Sequence, residues 1–217
     1  MAHTDDPWVE GAVDLNRLIY LSDGVFAIAV TLSALQIPVP ASAADLTGQL
    51  VRLLPNIGIY AFSFVVIAAM WMTHHRMFHF INRGDARLFA LNLGALLVIA
   101  FMPFPVALVG RHGDQRVAVV AYAASMAVAG AALTMIWVYA THERRLVERD
   151  LDGSIVRYVG LRITTVSALF ALSIPLAFLP HGPTITSWFW VGIFVVRRFL
   201  FRFYSPSEHD AGVVGDT

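Results

Sequence analysis

The feature that most constrains this chain is an unbroken apolar stretch that carries a carboxylate inside it. The stretch reads RLIYLSDGVFAIAVTLSALQIP, from Arg17 to Pro38, and is long enough for a helix that crosses a bilayer. Asp23 lies about one and a half turns into that helix, where an unpaired carboxylate costs roughly 2.5 kcal/mol or more. The local candidate partner is Arg17, near the start of the same helix. The stretch therefore predicts a membrane helix with an anchored end.

The composition of the whole chain indicates a membrane protein with many spans. Of the 217 residues, 58% are hydrophobic and 14% are charged, and the mean hydropathy is +0.67. Soluble domains average about 25% charged residues, so this apolar excess does not fit into a soluble core. The net charge of zero argues against nucleic acid as a partner. We predict an all-α polytopic protein whose surroundings are the lipid bilayer.

Six stretches have the length and apolar character of transmembrane helices, and proline or glycine follows several of them. The predicted spans are 17–37, 53–72, 88–109, 117–139, 161–179 and 184–196. The string FMPFP predicts a break in the third span, the small residues of the fourth predict close helix packing, and Asp45 or Thr47 is a candidate cap for the second. We therefore expect one transmembrane domain, residues 15–204, between a tail at 1–14 and a disordered tail at 205–217.

The arginines are distributed unevenly between the two sides of such a domain. All fifteen basic residues are arginine, and twelve of them fall on the side of the chain termini. The other three are Arg52, Arg111 and Arg116. Because positively charged loops stay in the cytoplasm, we expect both termini there.

One face of the first predicted helix carries a row of large apolar residues and a threonine. Ile28, Leu32 and Leu35 follow one another at helical spacing, and Thr31 lies on the same face. One interpretation is that this stripe packs against other helices of the same chain. The other is a pore-lining face, with a hydrophobic constriction at Ile28 and a hydroxyl layer at Thr31, which requires several copies of the helix around one axis.

Histidines cluster where the second predicted helix ends, in the string WMTHHRMFHF. His75 and His79 have a spacing that can bind a metal, and paired histidines on membrane helices can ligate haem. Histidines at a membrane boundary also pair with carboxylates. We expect no metal, and predict instead that His74 or His75 contacts Asp23 in a structural network. The alternative for these groups is a proton relay.

The opening stretch resembles the signature of the transmembrane-protein-175 family of potassium channels, which is an Arg, three residues and then Phe-Ser-Asp. Arg17, Ser22 and Asp23 match that signature, as does the following GVFAIAVTL, whereas Leu21 replaces the phenylalanine. The six spans also fit the single-repeat prokaryotic form of the family. The resemblance implies a homotetramer whose first helices line the pore.

The resemblance also implies roles for single residues. The apolar constriction of the family maps to Ile28, with further apolar pore positions at Leu32 and Leu35, and the threonine layer associated with potassium preference maps to Thr31. The hydrogen-bond network that holds the pore helix maps to five residues: Arg17, Ser22, Asp23, Trp71 and His74.

The predicted function is therefore a leak-like potassium channel of the plasma membrane. It has no enzymatic activity and no cofactor, potassium is the permeant ion, and its protein partner is a second copy of itself. The first rival function is a proton channel or proton-coupled transporter that uses Asp23 and the histidines. The second is a haem-containing redox enzyme, and the third is a membrane protein without permeation.

Overall fold

A computed structural model describes residues 15–40 and 42–203, with side-chain surroundings described through residue 192. Seven α-helices follow one another: α1 (Leu15–Ala34), α2 (Leu46–Phe80), α3 (Ala86–Phe101), α4 (Pro103–His112), α5 (Arg116–Thr141), α6 (Gly153–Ser173) and α7 (Gly182–Phe203). Two 3₁₀ helices, His142–Arg144 and Ile174–Phe178, extend α5 and α6. The predicted all-α class is confirmed, and the predicted tails at 1–14 and 205–217 lie outside the described residues.

Five stretches of the described chain are long and apolar enough to cross a membrane: α1, α2, α3 with α4, α5 with its extension, and α6 with its extension. The α3–α4 pair is one crossing that is interrupted at Met102, as the prolines of FMPFP predict. The helix α7 follows these five stretches and is not among those that meet this criterion within the described residues. The all-α, multi-pass membrane architecture expected from the sequence is therefore confirmed, with five of its six predicted spans apolar enough to cross.

The helix α2 starts at the predicted cap residue Asp45, whereas α6 starts earlier than the sequence pattern indicates. Asp45 caps α2, accepting a hydrogen bond from the Gly48 N–H at 3.1 Å, and the helix then continues through Pro55 to Phe80. The helix α6 begins at Gly153 rather than near residue 161, because the Asp152 carboxylate accepts from the Ser154 N–H at 2.8 Å. The charged first turns of α6 are typical of a loop in sequence but are helical in the structure.

The helix α5 forms the centre of the protomer, packing against α3, α4, α6 and α7. Its contact with α6 is the most extensive, and Gly130 is the reason the two backbones come close. A Cβ atom at Gly130 would lie 2.9 Å from the Cβ of Ser167 on α6. The Ser167 hydroxyl donates across the same contact to the Ala127 carbonyl at 2.7 Å. Small residues thus permit close approach here, as predicted for this span.

The helix α1 lies at the edge of the protomer, where it packs on α2, α3 and α4. Side chains on its inner face are buried: Leu18, Ser22, Phe26, Ala29 and Ser33. They recur every three or four residues, which places them on one side of a helix. Its outer face is left without a neighbour in the described part of the protomer.

A cluster of polar side chains joins the α2–α3 turn to the end of α5, on the same side of the protein as the α1 N-terminus. Asp85 caps α3 through the Leu88 N–H at 2.7 Å and accepts from the Tyr139 hydroxyl at 2.5 Å. Arg145 lies 3.8 Å from the same carboxylate, and Arg87 and Arg145 both lie over the Tyr139 ring. Burial raises the pKa of Asp85, but these hydrogen bonds and Arg145 outweigh it and hold that pKa below its ordinary value.

Candidate functional site

The outer face of α1 is a continuous stripe of exposed side chains. Its members on the helix are Leu21, Gly24, Ile28 and Thr31, which alternate three and four residues apart, and Leu35 continues the row in the turn that follows the helix. Ile28 is 58% exposed and Leu35 is 77% exposed, and Leu32, at 43%, borders the stripe. In a soluble protein such a row would be costly, whereas in a bilayer it faces lipid or another protein chain.

Thr31 has a defined orientation within this stripe. Its hydroxyl lies 3.0 Å from the carbonyl oxygens of both Ala27 and Ile28, one turn back on α1. The hydroxyl hydrogen is therefore donated to the backbone, and the oxygen lone pairs remain available on the exposed side of the helix. A hydroxyl held in this way presents an acceptor to a cation and no donor.

The inner face of α1 is attached to α3 and α2 by a chain of buried hydrogen bonds. Ser22 Oγ donates to the Leu18 carbonyl at 2.8 Å, and Asn92 Nδ2 of α3 donates to Ser22 Oγ at 3.0 Å. Asn92 Oδ1 in turn lies 2.8 Å from His74 Nε2 of α2. Ser22, His74 and Asn92 are all fully buried. This chain, which we name the inner latch, fixes which face of α1 is turned toward the protomer.

Asp23 makes a separate contact with α2 at the border of the outer face. Trp71 Nε1 donates to Asp23 Oδ1 at 2.7 Å, and the indole is 37% exposed. A charge-assisted hydrogen bond of this length is a strong interaction for a carboxylate near the edge of the hydrocarbon. Ser22 and Asp23 thus attach neighbouring positions of α1 to two other helices.

Of the residues predicted to contact Asp23, the described structure shows Trp71 bonded to it, but not Arg17 or the histidines. Arg17 and Asp23 form no ion pair there, because six residues turn a helix by about 240° and place the two side chains on different faces. Arg17 lies on the exposed side of α1. His74 binds Asn92 rather than Asp23, and His75 is exposed and stacks beside Trp71, with ring centroids 5.9 Å apart.

The sequence pattern does not place Asn92 in the network around α1. The structure makes it the centre of the inner latch, since it is the one residue in that chain that bonds to two other helices. A signal is present in the sequence: Asn92 is an amide in the middle of the apolar string ALNLGALLVIAF. Such a group in hydrocarbon requires partners on neighbouring helices.

The remaining histidines of α2 do not gather into a binding site in the described structure. His75 and His79 are exposed. Among the described residues, no three histidine, aspartate or glutamate side chains are arranged so that they could hold a metal ion. The outer face of α1 offers the chemistry of a lined surface, with apolar side chains and one hydroxyl oxygen.

Comparison with known proteins gives consistent matches. Residues 17–103 match the family described as the endosomal/lysosomal potassium channel TMEM175. The chain is 34% identical over 179 residues to a potassium channel of Streptomyces collinus, covering 79% of this chain and 86% of the relative. It is 31% identical over 199 residues to a potassium channel of Chamaesiphon minutus, covering 88% of this chain and 95% of the relative.

The fold of this chain also matches that of a solved channel structure. A crystal structure of a lysosomal potassium-selective channel TMEM175 homolog from Chamaesiphon minutus superposes with a TM-score of 0.73 at 28% identity, covering 88% of this chain and 99% of that one. The match spans nearly the whole of the solved chain, so the similarity extends beyond the first helices. This protein therefore belongs to the TMEM175 family of ion channels.

Proposed function

We propose that this protein is a potassium-selective, leak-like channel, through which ions pass down their electrochemical gradient. The observation that carries the proposal is the outer face of α1, an exposed stripe of apolar side chains interrupted by one oriented hydroxyl. Relatives that share about a third of its sequence along most of their length are potassium channels. A channel needs a lined path, and this face is the candidate lining.

The pore is formed by several copies of the chain, and we propose a homotetramer. A single α1 helix encloses no path, since its outer face is open along its whole length. Four copies around one axis turn the stripes inward and remove them from lipid. The tetramer lies in the plasma membrane, and the excess of arginine on the side of the termini supports a cytoplasmic location for both termini.

The selectivity mechanism follows from the side chains on the stripe. Ile28, Leu32 and Leu35 form a narrow apolar passage in which water is held weakly, so that an ion must shed part of its hydration shell. Thr31 replaces some of the lost water with its oxygen, which faces outward because its hydrogen is bonded to the backbone. Potassium gives up water at lower cost than sodium does, and such a passage therefore favours potassium modestly.

The contacts on the inner side of α1 set the orientation of the stripe. Ser22 and His74 belong to the inner latch, and Asp23 and Trp71 form the second attachment. Arg17 lies one turn before the stripe, at the cytoplasmic end of the proposed pore. We assign these residues to assembly and helix orientation rather than to ion binding.

The first test is Ile28→Asn in purified protein reconstituted into liposomes. An amide at the constriction holds water and lowers the barrier to ions, so potassium flux should rise several-fold. The matched control is Leu172→Asn, because Leu172 is 68% exposed on α6, and α6 is not among the helices that pack on α1. Flux that rises equally in both variants, or in neither, would reject Ile28 as the constriction.

The second test addresses selectivity with Thr31→Val, which keeps the shape and removes the oxygen. We expect the permeability ratio of potassium to sodium, measured from reversal potentials in mixed ions, to fall. Thr165→Val is the control, since the Thr165 hydroxyl on α6 is also exposed and donates one turn back, to the Leu161 carbonyl. Unaltered reversal potentials in Thr31→Val would contradict the assignment.

The inner latch gives a reason to prefer potassium over a proton relay. Its chain of donors runs from His74 through Asn92 and Ser22, and ends on the Leu18 carbonyl, which cannot pass a proton onward. Liposomes that contain no potassium and carry a pH gradient separate the two functions. Dissipation of that gradient as fast as potassium flux would favour the proton channel.

A further inference from the structure

One buried nitrogen in the inner latch has no partner. His74 is fully buried, and its Nδ1 is the one buried side-chain nitrogen or oxygen of the described residues that has no hydrogen bond. The ring lies between two phenylalanines, with its centroid 4.5 Å from Phe78 and 5.6 Å from Phe26. Buried polar atoms without partners are rare in folded proteins, and this one lies in the contact that holds α1.

The positions of the hydrogens in the inner latch determine the tautomer and the charge of the His74 imidazole. Ser22 has one hydroxyl hydrogen and donates it to the Leu18 carbonyl, so Ser22 Oγ must accept from Asn92 Nδ2. The other end of that amide, Asn92 Oδ1, is then the acceptor for His74, and Nε2 carries the hydrogen. His74 is therefore neutral with a bare Nδ1, since a second proton would place an N–H against apolar rings with no acceptor.

The charges that face His74 come from two helices. Burial opposes a second proton on the ring most strongly; Asp23 of α1 favours one, and His75, the next residue on α2, disfavours it. The helix α3 presents the neutral Asn92 to the ring. The Asp23 carboxylate is thus the acceptor that a protonated His74 would seek, but Asp23 already accepts from Trp71.

From this arrangement we infer that the inner latch is a pH-sensitive control of the pore helix: the described latch requires neutral His74, and proton uptake at Nδ1 releases it. An imidazolium must leave the space between the two phenylalanines or turn toward Asp23. Either movement disturbs the bond to Asn92 or the bond between Asp23 and Trp71. The orientation of α1 is then no longer fixed, and the proposed pore loses its ordered lining.

The inference rests on the proposed channel function, and it concerns acidification on the side of the α1 N-terminus. Lowering the pH on that side from about 7.5 to about 4.5 should reduce potassium flux several-fold in the wild type. The range extends below the one in which exposed histidines titrate, because His74 is fully buried and burial opposes its charged form. In His74→Gln the flux should be nearly independent of pH. His75→Gln is the matched control on the neighbouring, exposed residue, and should keep the wild-type response.

Two results would overturn the inference. One is wild-type flux that does not change with pH, and the other is a pH response that survives in His74→Gln or disappears in His75→Gln. Absence of any potassium flux at neutral pH would instead count against the proposed channel function, so the two failures are distinguishable.

A second measurement tests the inference on the wild-type protein, and so does not depend on whether His74→Gln folds. Nuclear magnetic resonance of wild-type protein with ¹⁵N-labelled histidine reports which ring nitrogen carries hydrogen, and requires no conduction. At neutral pH one buried histidine should show hydrogen at Nε2 and a bare Nδ1, and on acidification its ring-nitrogen signals should shift. In a second sample labelled with ¹⁵N-asparagine, the side-chain amide signal of Asn92 should shift over the same pH range. The opposite tautomer, or a doubly protonated ring at neutral pH, would refute the latch.

Discussion

Replacing Asn92 by leucine tests the inner latch directly. The side chains have similar size, and the site is fully buried, so the change removes two hydrogen bonds with little change in packing. The loss of these hydrogen bonds has different consequences for Ser22 and for His74. Ser22 still donates to the Leu18 carbonyl, whereas the N–H of His74 is left buried and without an acceptor.

The magnitude follows from that stranded donor. A buried polar group without a partner costs about 1–3 kcal/mol, and the extra apolar surface of leucine offsets part of this, so we expect a net loss of about 2 kcal/mol. Replacing both partners, as in Asn92→Leu with His74→Phe, removes the stranded donor and keeps an aromatic ring beside Phe78. The double variant should therefore recover at least half of the loss.

The assay is thermal unfolding in detergent, followed by potassium flux in liposomes for each variant that remains folded. Asn56→Leu is the matched control, because the Asn56 amide donates to the Gly110 carbonyl at 2.8 Å and joins α2 to α4, and it is no part of the inner latch. It should lose about 1 kcal/mol of stability and keep its flux. Asn92→Leu that is as stable as wild type, or a double variant less stable than either single one, would refute the reasoning.

Two further predictions concern contacts away from α1. Gly130→Leu should destabilise the protomer by about 1–3 kcal/mol or prevent its folding, whereas the neighbouring exposed Val128→Leu should have little effect on the melting temperature; equal effects would contradict close α5–α6 packing. Tyr139→Phe should cost about 1 kcal/mol at neutral pH, discounted for exposure. The folded-state pKa of Asp85 is lowered, so its contribution is fully present above its ordinary pKa of about 4 and is lost as pH falls through the lower folded-state value. Acid unfolding curves of Tyr139→Phe and wild type should therefore draw together as pH falls below the ordinary pKa and coincide below the folded-state one; curves that remain separated in acid would contradict this.

Much of the fold could be predicted from local sequence, because a membrane helix is recognised by the length and the apolar composition of a single stretch. The break at FMPFP and the cap at Asp45 also follow from single residues, since proline lacks a backbone donor and a side-chain carboxylate satisfies the free N–H groups of a helix start. The start of α6 does not follow in this way. The charged residues before 161, such as Arg157, are typical of a loop, but a charged side chain at a membrane boundary is also compatible with a helix.

The hydrogen-bond partners of polar side chains inside the membrane domain were harder to predict from the sequence. Proximity in sequence favoured Arg17 for Asp23, but the helical rotation between them places the two on different faces, and the structure gives Asp23 to Trp71, on another helix. Asn92 likewise acquires its importance from α1 and α2, which are distant from it along the chain. Such pairings depend on how helices are placed against each other, which no single stretch specifies.

The two faces of α1 have different roles: the inner face contacts the rest of the protomer, and the outer face is available to other copies of the chain. Ser22 and Phe26 are buried within the protomer, so their chemistry fixes the orientation of the helix whether or not other copies are present. Ile28 and Thr31 have no neighbour on their outer side in the described protomer, so their contribution begins only when copies meet around an axis. Because the two faces belong to one helix, the inner contacts also set the direction in which the outer stripe points. A polar latch in the core is thereby connected mechanically to a surface that, in the proposed channel, touches ions.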